Sequence, residues 1–426
     1  MEMKWIVLGI AVLMYAFIVV FPQKKSFSSM GAALLMLILG VVSPAVALTE
    51  LVNWTVLMIF VGSLVIAELF IYSRVPAAIA DTIVLKSPNV GVAIVAILMM
   101  TGIISAFVEN VATVLVMAPI ALALCKKLEL DPTYFMVGLA VMANLQGTAT
   151  LVGDPPSMIF ADYAKYGFND FFVYHGKLSI FFAVQAGMII GALFFYAYFA
   201  RKGGSRVEVE KEKILTWTPT VLLVLMILGL ALASFIWGGI SLASGLIVMA
   251  LGLAGIFWYR FVQKVEGKKV LELVKGLDWD TVFFLIGIFV VVGAIGEAGL
   301  LDDAADKLDD LVGNSVFLGF LLIVGFSTVI SGFVDNVPYI IAMLPVAAKM
   351  AAVHGIAPEL YMFSLLVGSC MGGNLTPFGA SANVVSVGIL RKQGVQTNFA
   401  QWLRIGLPFT LLTTIAASAF VWLVWR

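Results

Sequence analysis

Two short stretches place carboxylates inside apolar runs. Residues 106–121 read AFVENVATVLVMAPIA and residues 332–347 read GFVDNVPYIIAMLPVA. Glu109–Asn110 and Asp335–Asn336 stand at matching places, 226 positions apart. A carboxylate in an apolar segment is costly without a partner, so it marks an ion or substrate site. The chemistry open to these residues is uptake of a proton or binding of a cation. Asn110 and Asn336 can each offer Na⁺ a neutral oxygen, and Thr113 a hydroxyl. Each acid could also cap the helix that follows it, and capping is compatible with ion binding.

Two further stretches carry polar groups where a helix must break. In NLQGTATLVGDPPSMIF (144–160), Gly147, Gly153 and Pro155–Pro156 prevent a continuous helix. Asn144, Thr148, Thr150 and Asp154 lie there. In GGNLTPFGASANVVSVG (372–388), Gly372, Gly373, Pro377 and Gly379 break the pattern beside Asn374, Thr376, Ser381 and Asn383. Half-helices that start inside a membrane aim positive dipole ends at a ligand, and their freed carbonyls can coordinate Na⁺. A simple kink explains one such break. Two at equivalent places beside two acidic turns point to a binding site.

The elements that must hold these residues are membrane helices. The 426 residues are 62% hydrophobic and 12% charged, which leaves too little charge for a water-exposed surface. Apolar runs of ~20 residues recur, each long enough to cross a ~30 Å hydrocarbon layer. Spans are expected near 5–22, 30–48, 54–72, 178–200, 216–236, 240–260, 281–299 and 405–425, with an amphipathic piece at 75–86 and a polar one at 301–311. The expected fold is an all-α polytopic membrane protein of two inverted repeats. Each repeat has five full crossings, one re-entrant hairpin and one broken helix. The first repeat covers 1–200, with its hairpin at 89–125 and broken helix at 133–165. The polar segment 201–215 is the linker. The second repeat covers 216–426, with its hairpin at 315–350 and broken helix at 358–391. Across 106–119 and 332–345, six of fourteen aligned residues are identical. An odd number of crossings per repeat inverts the second against the first. Lys and Arg then gather on one side, from Lys24, Lys25, Arg74 and Lys86 through the linker to Arg260–Lys275, Arg391 and Arg404. That side is expected to be cytoplasmic, with both termini outside and a plasma-membrane location.

Other residues carry weaker signals. Glu68 falls in the third span and reads equally as a proton relay or a satisfied polar group. Glu297 reads as interfacial. Cys125 and Cys370 read as small buried hydrophobes. His175 and His354 fall in loops without a second ligand at metal spacing. No Arg or Lys falls deep in a span, so the cavity is expected to hold Glu109, Asp154 and Asp335 without a basic counter-charge. Close carboxylates favour proton uptake or a bound cation.

The motifs FVENVAT, GTATLVGDPPSMI, FVDNVP and GGNLTPFGASANVV resemble the ion transporter superfamily. The similar branch is that of arsenite permeases, D-type sodium/proton antiporters and the melanosomal P protein. The resemblance implies hairpins entering from opposite faces, broken helices around a central site, a homodimer and elevator-like motion. Divalent-anion/sodium symporters share the fold but use Ser-Asn-Thr at both tips. Only the asparagine matches in Glu109-Asn110-Val111 and Asp335-Asn336-Val337, which counts against dicarboxylate transport. The function expected is H⁺- or Na⁺-coupled secondary transport of a small inorganic ion or arsenite-like oxyanion. The alternatives are Na⁺/H⁺ exchange, Na⁺-coupled carboxylate transport and an anion channel. A thiol contact from Cys370 to arsenite is conceivable. No nucleophile–base pair or metal cluster supports an enzyme. No cofactor beyond the coupling ion and no nucleic-acid partner are expected. A soluble ATPase partner stays an open alternative.

Overall fold

The computed structural model describes residues 2–21, 24–127, 129–199 and 211–426. The first half contains α1 (Glu2–Val20), α2 (Lys25–Ile38), the single turn α3 (Pro44–Val46), α4 (Trp54–Tyr72) and α5 (Val75–Lys86). It continues with α6 (Val90–Ser105), α7 (Asn110–Lys127), α8 (Thr133–Gly147), α9 (Pro155–Ala164) and α10 (Ile180–Phe199). The second half contains α11 (Thr218–Trp237), α12 (Leu242–Phe257), α13 (Gly267–Gly276), α14 (Trp279–Glu297) and α15 (Leu300–Val312). It ends with α16 (Val316–Ser331), α17 (Asn336–Val353), α18 (Pro358–Gly372), α19 (Ser381–Lys392) and α20 (Phe399–Trp425). A two-stranded ribbon pairs β1 (Val173–Tyr174) with β2 (Lys177–Leu178), and His175 sits in its turn. Of the sequence linker, residues 201–210 lie outside the described residues. Residues 211–215 run beside α5, where the Leu215 N–H donates to Ser73 O at 3.0 Å.

Eight helices among the described residues are long and apolar enough to cross a membrane, so the chain is a multi-pass membrane protein. Others are too short. Helix α9 has 10 residues and α19 has 12. At 1.5 Å per residue they rise roughly 15–18 Å, about half a hydrocarbon layer. The run 30–48 is not one helix. Helix α2 starts earlier, at Lys25, and stops at Ile38, because Gly40 takes a positive φ of 68° and Ser43–Pro44 opens a new turn.

Local sequence fixes many of the boundaries. Asn53 accepts from the Val56 N–H at 2.9 Å and starts α4; Asp278 accepts from the Thr281 N–H at 3.0 Å and starts α14. The two halves also make the same bonds at their breaks. Ser105 Oγ donates to Ala143 O at 2.9 Å, and Ser331 Oγ donates to Ser369 O at 2.5 Å. Thr150 donates to Ala106 O, and Thr376 to Gly332 O. Ser157 Oγ donates to Gly147 O at 3.5 Å, and Asn383 Nδ2 to Gly373 O at 2.8 Å.

The helices pack in two groups. One contains α1, α2, α4, α11, α12 and α14, with α2 lying along α14 and α4 along α12. The other contains α6–α10 and α16–α20. Small residues allow close backbone approach in the first group. A Cβ on Gly62 would stand 2.7 Å from Val248 O, and one on Gly287 would stand 2.6 Å from Met30 N. The groups meet where α4 touches α7 and α9 and where α14 touches α17. The acidic helix α15 is tied at its surface by Lys4–Asp303 (2.6 Å) and Lys349–Asp306 (2.7 Å), while the buried His354 Nε2 lies 2.9 Å from Asp309 Oδ1. The hydrogen bond from Lys4 holds the Asp303 carboxyl below its usual range.

Gly62→Val and Gly287→Val should each destabilise the protein by about 1–3 kcal/mol, because backbone cannot yield to the added methyls. Gly325→Val, where nothing lies within 4 Å, should leave melting unchanged. Thermal unfolding in detergent reads all three.

Candidate functional site

The two acidic turns and the first helix break converge on one pocket. Its walls are Lys25, Phe60, Glu109, Asn110, Asp154, Pro155, Asp278, Thr281, Asp335, Asn336, Val337, Ala380 and Ser381. The cavity is small, about 20 Å³. That suits a water-sized or cation-sized occupant, and a polyatomic anion requires the walls to part.

Helix starts build the pocket. Six helices begin there: α2 at Lys25, α7 at Asn110, α9 at Pro155, α14 at Trp279, α17 at Asn336 and α19 at Ser381. Each start carries roughly half a positive charge, so six supply on the order of +3. Lys25 adds one. Against these stand four carboxylates: Glu109, Asp154, Asp278 and Asp335. With all four acids ionised this count comes out near balance, and an added anion then needs a cation or proton beside it.

The four acids are held differently. Glu109 Oε2 accepts from the Ala112 N–H at 2.9 Å, as a cap of α7. Asp335 Oδ1 accepts from the Val337 N–H at 3.0 Å, and its Oδ2 lies 3.2 Å from Lys25 Nζ. Asp278 accepts twice from Thr281, from the N–H at 3.0 Å and from the hydroxyl at 2.6 Å. Asp154 precedes α9 without capping it through its side chain, and it shares the pocket wall with Asn336. It is 4% exposed and has the fewest donors of the four, which makes it the acid with most to gain from a proton or cation. Among the described residues no three acidic, histidine or cysteine side chains come close enough to cage a metal ion. A Na⁺ bound here would draw on no more than two carboxylates, completed by amide, hydroxyl or carbonyl oxygens.

Lys25 corrects the expectation of a cavity without basic counter-charge. Its charge falls at the polar end of a span in the sequence, but α2 starts five residues before the apolar run and carries the ammonium inward. Lys25 is 8% exposed, and its Nζ lies 5.0 Å from the centre of the Phe284 ring. The next residue, Ser26, donates to Asp280 and ties the start of α2 to α14. Asp278 and Thr281 also escape the sequence reading, because they sit at the edge of a span. The signal available was positional: Asp278 precedes Trp279 as Asn53 precedes Trp54.

Of the residues singled out in the sequence, Glu109, Asn110, Asp154, Asp335, Asn336 and Ser381 line the pocket. The others form the layer behind it. Asn144 Nδ2 donates to Asn374 Oδ1 at 2.9 Å and Asn383 Oδ1 at 2.8 Å, and Asn144 Oδ1 accepts from Asn110 at 3.2 Å. Asn383 also donates to Thr376 O at 2.8 Å. Thr113 donates to Val108 O and Thr148 to Asn144 O. Gly147, Gly153, Gly373 and Gly379 permit tight crossings; a Cβ on Gly379 would stand 2.6 Å from Gly373 O and 2.8 Å from Gly332 O. Glu68 is half-buried on α4, Glu297 is exposed at the end of α14, and Cys370 is buried in α18 and is not one of the pocket walls.

The citrate transporter family, CitMHS, matches residues 15–368. The chain belongs to this family. An uncharacterised transporter of Mycobacterium tuberculosis is 30% identical over 376 residues, covering 87% of this chain and 86% of its own. The P protein of Mus musculus is 23% identical over 474 residues, covering 92% of this chain and 56% of its own. Among solved structures, the YdaH transporter of Alcanivorax borkumensis superposes with a TM-score of 0.59 at 15% identity, over 99% of this chain and 98% of its own. MtrF of Neisseria gonorrhoeae, described as illuminating a class of antimetabolite efflux pumps, gives 0.57 at 16% identity over 91% and 83%. The CitMHS chain is thus a membrane transporter and not an enzyme, and the resemblance to the ion transporter superfamily holds. In this CitMHS protein the pocket lies where α4 and α14 of one helix group meet α7, α9 and α17 of the other.

Asn144→Ala should lower stability by about 1–3 kcal/mol for each buried amide group left unpaired. Ser381→Ala should leave melting unchanged, since its hydroxyl has no such network. Melting midpoints in detergent separate the two.

Proposed function

We propose that this chain is a secondary active transporter in which H⁺ or Na⁺ taken up at the pocket carboxylates drives movement of a small anion. The observation that carries the reading is the pocket itself, where four carboxylic acids, one lysine and six helix starts meet, near electrical balance when all four acids are ionised. An anion alone upsets that balance, whereas an anion accompanied by a cation or proton preserves it. The family description makes a carboxylate of the citrate type the first substrate to test, with an arsenite-like oxyanion as the next. Plain Na⁺/H⁺ exchange is the second reading, favoured by the excess of carboxylates over basic side chains.

Asp154, with the fewest donors, is the proposed first seat of the coupling ion, beside Asn336; Asn110 offers a further amide for Na⁺. The two halves are taken as inverted repeats, with the hairpins α6–α7 and α16–α17 entering from opposite faces. The matched hydrogen bonds 226 positions apart support that reading. Alternating access is proposed to follow an elevator-type shift of the α6–α10 and α16–α20 group past the other. The proposed setting is the plasma membrane, with both termini outside and 201–215 cytoplasmic, as a homodimer.

The test is uptake into proteoliposomes under an imposed Na⁺ or pH gradient, with citrate, arsenite and internal pH followed in parallel. Wild-type protein should accumulate one anion uphill under one of the gradients. Asp154→Asn and Asp335→Asn should each bring accumulation down to the level of empty liposomes while the protein stays folded. Undiminished uphill uptake by both variants contradicts the reading.

A further inference from the structure

We propose that the Lys25–Asp335 ion pair is an interlock between the two helix groups, broken when a coupling ion seated first at Asp154 reaches the Asp335 carboxylate. The proposal rests on the transporter reading above and adds a coupling residue to it.

The geometry puts the two partners on opposite sides of the boundary. Lys25 belongs to α2, which lies along α14. It is anchored there by the Phe284 ring and by the bond from Ser26 to Asp280. Asp335 caps α17, at the tip of the α16–α17 hairpin in the other group. The 3.2 Å contact therefore spans the surface along which one group would move past the other. Its side chains are 10% and 20% exposed, so the pair is poorly screened by water. A hydrogen bond of 3.1 Å from Tyr15 of α1 to Pro338 O reinforces the same junction.

The device is one-sided. Glu109, at the other hairpin tip, has no ion pair among the described residues. The first turn of α12, the counterpart of α2, reads Leu242-Ala243-Ser244-Gly245 and offers no ammonium. Among the described residues, only one tip is tethered by charge.

The groups facing Asp335 in the pocket are Lys25 on α2, Glu109 before α7, Asp154 before α9 and Asp278 before α14, with Asp280 close to Lys25. A proton or Na⁺ on Asp335 removes the attraction that holds Lys25, and Lys25 can turn to Asp278 and Asp280 on its own group. The hairpin tip is then free to move. Without an ion, the pair holds and uncoupled cycling is suppressed.

The first experiment needs no transport. Spin labels at Lys24→Cys and Phe333→Cys, both exposed positions, report the distance from the start of α2 to the hairpin tip. The native Cys125 and Cys370 are buried. Pulsed electron resonance should give one short, narrow distance at high pH without Na⁺, and a longer or broader distribution at low pH or with Na⁺. Adding Lys25→Gln should give the longer distribution in every condition. Distributions that ignore pH, Na⁺ and Lys25→Gln overturn the interlock.

The second experiment is substrate-free cation leak in proteoliposomes. Lys25→Gln should leak at least tenfold faster than wild type, and Lys25→Arg, which keeps the charge and leaves Asp335 in place, should stay as tight as wild type. A Lys25→Gln protein as tight as wild type overturns the interlock and leaves the transporter reading intact. Failure of the transporter reading looks different: wild type itself then accumulates nothing under either gradient.

Discussion

The controlling constraint is the cost of carboxylates at membrane depth. Buried carboxylates are expensive, about 3 kcal/mol each where they reach the centre of a span, a large share of a protein's net stability. They are tolerable only where the fold supplies positive potential. Here that potential comes from backbone, because six helices start around the same pocket. The broken helices and the tight turns exist to place those starts. The glycines at the breaks, the asparagine layer behind them and the hydroxyl bonds from Ser105, Ser331, Thr150 and Thr376 hold the starts in register.

The same constraint shapes the chemistry. A pocket whose charges nearly cancel has no appetite for a bare anion, and it has one under-supplied acid, Asp154. Its lysine is shared across the boundary between two helix groups. On the proposed mechanism, binding, charge neutrality and relative motion of the groups are tied to the same few atoms. A transporter of the citrate family needs that kind of linkage, because an ion that binds without altering the boundary cannot drive anything uphill.

Much of this was legible in the sequence. The matched ENV and DNV tripeptides gave the two tips, and the Gly/Pro breaks gave the half-helices, since both depend on local backbone rules. Six of the pocket residues followed from those signals. The asparagines were visible as polar groups, but their mutual bonding was not, because it joins residues more than 200 positions apart. Lys25 was the main loss. A lysine at the end of an apolar run reads as a membrane-surface charge. Only the early start of α2, and its packing along α14, turns it inward. Asp278 was missed for the same reason: its role as a helix cap hides its second role as a pocket wall.

The account stands on uptake of a coupling ion by acids that share one pocket. The most direct measurement is equilibrium binding on purified protein, by Na⁺ titration calorimetry and by proton uptake in weakly buffered detergent solution. One saturable ion-binding event is predicted, lost on neutralising Asp154 and weakened on neutralising Glu109 or Asp335. Saturable binding that survives all three substitutions unchanged, or the absence of any Na⁺ or proton binding in the unaltered protein, would contradict it.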